Sequence, residues 1–288
     1  RLVGYALLYV RPGNPERGED STLYSWGEVH PRWRRRGLGW RLLERVYQRG
    51  EKYLAELATD RVYFQCTARQ EETGRKALYE RFGLKPVRYF VNLVRPLEGE
   101  LPPVQVPEGI RLRTFEPERD AEAVFEADQA AFRDHWGYAE GKLEEFLHWL
   151  KEPCLRPDLW FLAEEKATGK IVGLGLSIID PDWIAQTGRR EGYVDTLAVL
   201  REYREKGLGT ALLIRSLHAL QQAGLEAAHL DADADRRRDG VLFRRGRDAA
   251  NHGEVPRFVP RQTLGVRAAP GRIRGRRLLQ LRPAALRE

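Results

Sequence analysis

One pattern occurs twice in this 288-residue chain, and each occurrence fixes a strand-to-helix corner. A strand-like run ends in valine, four residues follow, and Arg-x-x-Gly-x-Gly then opens an amphipathic helix. The first copy reads Arg34-Arg35-Arg36-Gly37-Leu38-Gly39 after Val29, the second Arg204-Glu205-Lys206-Gly207-Leu208-Gly209 after Val199. Between residues 29–46 and 199–216, eight of eighteen positions are identical. Upstream, Leu2-Val3-Gly4 matches Ile171-Val172-Gly173 at an offset of 169, and the two valines before the loops are offset by 170. Order and spacing agree across both blocks, which marks a tandem duplication.

The periodicity around each copy predicts a mixed α/β fold. In the second copy, strands are expected over 110–115, 159–164, 170–179, 193–199 and 227–232, with helices over 120–132, 141–150 and 207–223. The first copy shows only the later part of that series: strands over 2–10, 25–29, 62–67 and 87–94, and helices over 37–54 and 73–82. Between the copies, residues 99–109 carry Pro102, Pro103, Pro107 and two glycines without helical periodicity, and read as a linker. The domains are therefore expected at 1–98 and 110–233. If the copies were once equivalent, about sixty residues precede Arg1 in the complete first domain.

Charge separates the remainder, 234–288, from both copies. From Asp235 onward there are 15 arginines, no lysine and five acidic residues, a net +10. The rest has 34 basic and 37 acidic residues, so the overall +7 arises entirely in this tail. Two readings stand for it: an arm that binds nucleic-acid phosphates, or out-of-frame translation of a GC-rich gene. The second is favoured, because the change comes where the fold still needs a helix, and a nucleic-acid partner is not expected. The residues after Arg247 show no clear periodicity. Cys66 and Cys154 form neither a disulfide framework nor a zinc spacing, so no metal is expected. No apolar run reaches the roughly 20 residues that span a bilayer, and a cytoplasmic protein without membrane contact is expected.

Glycines at a strand-to-helix corner let the backbone approach a ligand, and the helix N-terminus favours an anion, with diphosphate a natural guest. The dinucleotide fingerprint fails at Leu42 and Leu212, and the P-loop lysine is absent. The pattern resembles instead the acetyl-CoA loop of the GNAT (GCN5-related N-acetyltransferase) superfamily. The likeness covers residues 1–97 and 110–233, in the two-domain arrangement of mycothiol synthase-like enzymes.

That resemblance implies acetyl transfer from acetyl-CoA, the cosubstrate, to a primary amine of a small molecule or peptide by direct attack in a ternary complex. It places Gly27, Glu28 and Val29 beside the pantetheine arm and Arg34, Arg35, Arg36, Gly37, Leu38, Gly39 and Trp40 at the diphosphate. In the second copy the corresponding residues are Leu197, Ala198 and Val199, then Arg204, Glu205, Lys206, Gly207, Leu208, Gly209 and Thr210. Attack needs a neutral amine, so a base is required. Glu28 and Asp195 are the strand carboxylates available, each also readable as a solvated surface charge. Tyr79 occupies the family's position for the acid that protonates the departing thiolate, or is a packed helix tyrosine. His30 and His135 read as polar loop residues. Trp136 and Tyr138 line an acceptor pocket or anchor a loop. The alternative function is a catalytically impaired CoA-binding or nucleic-acid-binding module that uses the Arg-rich tail.

Overall fold

In a computed structural model the described residues are 2–59, 61–69, 72–135, 138, 140–151, 155–233 and 259–267. They divide into two units, the first built on residues up to Val91 together with 261–267, the second on 92–232.

In unit 1, β1 (Gly4–Arg11) and β2 (Ser21–Val29) form an antiparallel hairpin in register from Gly4↔Val29 to Arg11↔Thr22. The alternating residues Ala6, Leu8 and Val10 turn inward. Against that face lies α1 (Leu38–Glu51), burying Leu43, Val46 and Gly50. Gly50 lets the helix pack closely there: a Cβ would stand 2.8 Å from Leu23 Cδ1, and the leucine tip would have to shift. A parallel neighbour for β2 needs a crossover. α1 provides it, delivering the chain to β3 (Val62–Arg69) beside β2. α2 (Thr73–Phe82) then ends at Gly83 in a left-handed C-cap, and β4 (Lys85–Pro96) follows.

Unit 2 contains the whole expected series. β5 (Ile110–Thr114) is followed by α3 (Pro117–Phe132), α4 (Leu143–Trp149), β6 (Trp160–Glu165) and β7 (Ile171–Ile178). Then come α5 (Pro181–Thr187), β8 (Glu191–Val199), α6 (Leu208–Gln222) and β9 (Ala227–Asp233). β5 to β8 pair antiparallel in sequence order, and β8 pairs parallel with β9. Trp160, Leu162, Leu174, Leu212, Leu217 and Leu220 are fully buried at the centre of its core. α5 was not expected from periodicity. Its signals are local: Asp180 accepts from the Trp183 amide at 3.0 Å, Pro181 sits in the first turn, and Gly188 closes it in a left-handed conformation.

The segment 99–109 is fastened to unit 2. Gln221 donates to the carbonyls of Leu97 and Gly99 at 2.5 and 2.9 Å, a His218 ring nitrogen lies 2.9 Å from the Pro102 carbonyl, and Leu101 is buried. In the Arg-rich stretch, β10 (Val259–Arg267) forms a strand in unit 1, antiparallel to β3 from Thr263↔Arg69 to Arg267↔Gln65. The strand forms although the sequence shows no clear periodicity there. Pairing to a free strand edge, rather than side-chain alternation, sets it. The first part of the Arg-rich stretch, residues 234–258, lies outside the described residues. Among the described residues no helix is long and apolar enough to cross a membrane.

Candidate functional site

The two Arg-x-x-Gly-x-Gly loops have the same backbone. Arg35 and Glu205 adopt φ of 62° and 64°, and Gly37 and Gly207 adopt 77° and 84°. Each loop thus turns left-handed twice within three residues. Gly37 and Gly207 are the N-caps of α1 and α6 and offer no side-chain acceptor. The first-turn N–H groups, including those at Leu38, Gly39 and Trp40 and at Leu208, Gly209 and Thr210, thus have no capping side chain, and such a helix start favours an anion. Arg34 and Arg204 do a different job: their Nε atoms donate to the carbonyls of Val29 and Val199 at 2.9 and 3.0 Å, tying each loop to its strand. Lys206 donates to the Glu202 carbonyl at 3.0 Å and lies over the Tyr203 ring.

In unit 1 the strands beside the loop part. Parallel pairing of β2 and β3 stops at Ser25↔Cys66, so residues 26–29 have no β3 partner. A cavity of about 830 Å³ opens at this divergence. It brings together Gly27, Glu28 and Val29 of the strand edge, Arg34, Arg35, Gly37, Gly39 and Trp40 of the loop, and Tyr79 of α2. Arg36 and Leu38 do not line it, and Arg36 stacks over Trp33 instead, 5.0 Å from the ring centre. Gly27 is required by close approach: a Cβ would fall 2.3 Å from the Tyr5 carbonyl oxygen.

Tyr79 is almost fully buried and hydrogen-bonds Cys66, the residue at the vertex of the opening. Burial is the main cause that raises its hydroxyl pKa and keeps it protonated. The same burial pushes the Cys66 thiol up to about 12, so that sulfur is inert. Glu28 is not a free carboxylate. Arg75, in the first turn of α2, pairs with it directly and donates to the Gly27 carbonyl at 3.3 Å, while Arg34 lies 3.7 Å from its other oxygen. The sequence reading missed Arg75 because nothing in its local pattern distinguishes it from a surface helix residue.

Unit 2 departs from this arrangement at one residue. Leu176 faces Thr196 and Ser177 faces Val194, so Asp195 is an extra residue in β8, a β-bulge. Bulges re-aim side chains beside functional sites. Parallel pairing of β8 with β9 ends just before it, at Tyr193↔His229. Asp195 therefore has no counterpart in β2, and the change of offset from 169 to 170 between the copies is the sequence trace of this insertion. The surrounding protein raises the Asp195 carboxyl, with the Asp231 charge adding to it. Asp128 on α3 is raised to about 6, mainly by burial and further by the Asp195 charge. It went unnoticed in the sequence as one acidic residue of an amphipathic helix.

Leu197 and Val199 pack on the unit 2 core and Ala198 is buried. His30 accepts from the Arg32 amide at 3.3 Å and His135 sits edge-on to Phe132, both loop roles. Tyr138 donates to Gln129 at 3.1 Å, and Gln129 also accepts from the Gly141 amide at 2.7 Å, so this tyrosine braces the loop between α3 and α4. Trp136 lies outside the described residues.

Comparison with known proteins agrees with both copies. The pattern of the "Acetyltransferase (GNAT) family" matches residues 121–246, and that of the "Acetyltransferase (GNAT) domain" matches residues 1–86. A mycothiol acetyltransferase of Thermobispora bispora is 34% identical over 81% of this chain and 71% of its own length. The chain belongs to the GNAT acetyltransferase family. Another mycothiol acetyltransferase, from Saccharomonospora viridis, is 33% identical over 81% of this chain and 72% of its own. Among solved structures, a GCN5-related N-acetyltransferase from Sphaerobacter thermophilus superposes with a TM-score of 0.67 at 26% identity, covering 92% of this chain and 76% of that one. A tandem GNAT protein from the clavulanic acid biosynthesis pathway shares the fold at a TM-score of 0.60 and 18% identity, over 94% and 79% of the two chains. This GNAT chain is thus a tandem pair, as its repeated loop predicts.

Proposed function

We propose that this GNAT chain transfers an acetyl group from acetyl-CoA to a primary amine of a small molecule, and that unit 1 seats the acetyl-CoA. The observation that carries the reading is the 830 Å³ cleft, in which an unpaired strand edge, the uncapped start of α1 and the Tyr79 side chain meet. The start of α1 and the arginines suit a diphosphate, and the strand edge offers backbone partners to pantetheine amides. No covalent intermediate is required. The amine attacks the thioester carbon, strand N–H groups hold the oxyanion, and the C–S bond breaks as the amide forms. The amine proton passes to Glu28 once that carboxylate is released from Arg75, and Tyr79 meets the departing thiolate with its protonated hydroxyl.

A second reading places turnover in unit 2, with unit 1 as a holding site. It is favoured by the Asp128–Asp195 pair, whose raised carboxyls are bases poised nearer neutral pH than an ordinary aspartate. The similarity to mycothiol acetyltransferases supports an amine on a small polar molecule as acceptor. Release of free thiol from acetyl-CoA, measured with a panel of amino sugars, polyamines and cysteinyl amines, tests the activity. Loss of turnover on Tyr79→Phe and Glu28→Gln supports the unit 1 assignment, whereas loss only on Asp195→Asn supports unit 2. No thiol release above the acceptor-free rate with any amine contradicts the function.

A further inference from the structure

The strand edge that would receive a pantetheine arm is already in use. Arg75 reaches from the first turn of α2 across the opening to β2, where Nη2 donates to the Gly27 carbonyl at 3.3 Å and pairs with the Glu28 carboxylate. Glu72, one turn back on the α2 side, lies 3.4 Å from the same nitrogen and steadies the guanidinium. The Arg75 side chain is only 20% exposed, so it lies within the cleft, not in solvent. On the other wall, Arg35 Nη2 would come within 3.1 Å of a Cβ at Gly74, which places a second guanidinium at the start of α2.

An unpaired backbone carbonyl is an obligatory acceptor, and here the protein satisfies it with its own cation. A ligand that pairs with the β2 edge must first take Arg75 off Gly27, which leaves a partly buried guanidinium seeking an anion. A ligand that brings a diphosphate offsets this loss through the charged loop and the freed arginine. A pantetheine arm without phosphate does not.

We propose that Arg75 is a specificity-determining residue of the unit 1 cleft: it competes for the strand edge and so admits acyl groups carried on coenzyme A while excluding acyl-pantetheine lacking a phosphate. This rests on the acetyl-CoA reading of unit 1. Displacing Arg75 from the edge also releases Glu28, which couples cosubstrate entry to the availability of the base.

Calorimetric titration of the full chain with coenzyme A and with pantetheine, on a Gly209→Trp background that blocks the unit 2 loop, tests this. Arg75→Ala and Arg75→Met, the second keeping the bulk of the stem, are expected to tighten pantetheine binding at least about fivefold and to change coenzyme A binding less than about threefold. A loss of coenzyme A affinity with pantetheine unchanged would make Arg75 a phosphate ligand and overturn the proposal. No change with either ligand would reduce it to a surface ion pair and overturn it equally. Failure of the underlying reading looks different: coenzyme A binding that persists untouched by Gly39→Trp, whatever stands at position 75. Thermal melting of both Arg75 variants within about 3 °C of the parent confirms that the fold is intact.

Discussion

Arg34 donates from Nε to the carbonyl of Val29 at 2.9 Å, five residues behind it, and Arg204 makes the same bond to Val199 at 3.0 Å. The arginine that opens each motif is therefore a brace between strand end and loop. The two braces are not equally embedded. Arg204 also donates to the Ala131 carbonyl at 2.8 Å and is 32% exposed, against 58% for Arg34.

Arg204→Met should accordingly cost more than Arg34→Met. Two hydrogen bonds from a charged donor, partly buried, are together worth about 2 kcal/mol. The melting temperature of the Arg204 variant is expected to fall by roughly 4 °C or more, and that of the Arg34 variant by less than about 2 °C. Differential scanning calorimetry reads both. Equal shifts would show that the Ala131 bond contributes nothing.

Asp128 gives a pH signature of definite sign. Its carboxyl titrates near 6 in the fold, above an ordinary aspartate. Between roughly pH 4 and 6 the unfolded chain has released this proton while the folded chain keeps it. Stability from this group therefore falls as pH rises through that window and is flat above it. Asp128→Asn should remove the fall and raise the melting temperature at pH 7. Melts at half-unit steps from pH 4 to 7 check it, and a variant curve parallel to the parent's would contradict the assigned shift.

The opposite sign holds for Asp120. It is 3% exposed, accepts from Arg113 at 2.6 and 2.9 Å and from the Glu116 amide at 2.8 Å, and is bonded by Arg119 as well. Its carboxyl lies well below the usual range despite burial, held down by those guanidiniums. Its contribution is present above the ordinary carboxylate pKa and is lost as pH falls below it. Asp120→Ala leaves Arg113 and Arg119 without the carboxylate they share and is expected to cost about 3–5 kcal/mol at pH 7 by urea unfolding. A loss under about 1 kcal/mol would refute the buried-network account.

The legible part of this fold was the part that repeats. The repeated motif predicted a strand-to-helix corner in each copy, and both corners are there, left-handed at Gly37 and Gly207. Periodicity located α1 and α6 because each must bury one face, but it was silent on β10, whose order comes from the edge of β3. Glu28 and Asp195 looked like equivalent strand carboxylates. The bulge makes them different, one clamped by arginines and one an inserted residue whose charge adds to burial in raising the Asp128 carboxyl. Arg75 and Asp128 act through partners distant in sequence, Glu28 and Asp195, and no local pattern marks such pairs.

Gly27 is a further test of the cleft. A side chain there meets the Tyr5 carbonyl at 2.3 Å and the Ala6 Cα at 2.8 Å, both backbone atoms that cannot swing away. Gly27→Val should force β1 and β2 apart, lowering stability by roughly 1–3 kcal/mol and weakening coenzyme A binding in the same variant. Unchanged binding would mean that the ligand does not use this edge.

The central claim is that the unit 1 cleft seats acyl-CoA, and the most direct measurement is the binding stoichiometry of coenzyme A in Gly39→Trp. Gly39 lines the cleft, and even a Cβ at that position would lie 3.2 Å from Leu78 Cδ2, so an indole fills the diphosphate end. The account predicts that equilibrium dialysis finds one site fewer than in the parent protein, while Gly209→Trp leaves the unit 1 site occupied. Gly39→Trp protein that binds coenzyme A with the parent's stoichiometry and affinity would contradict it.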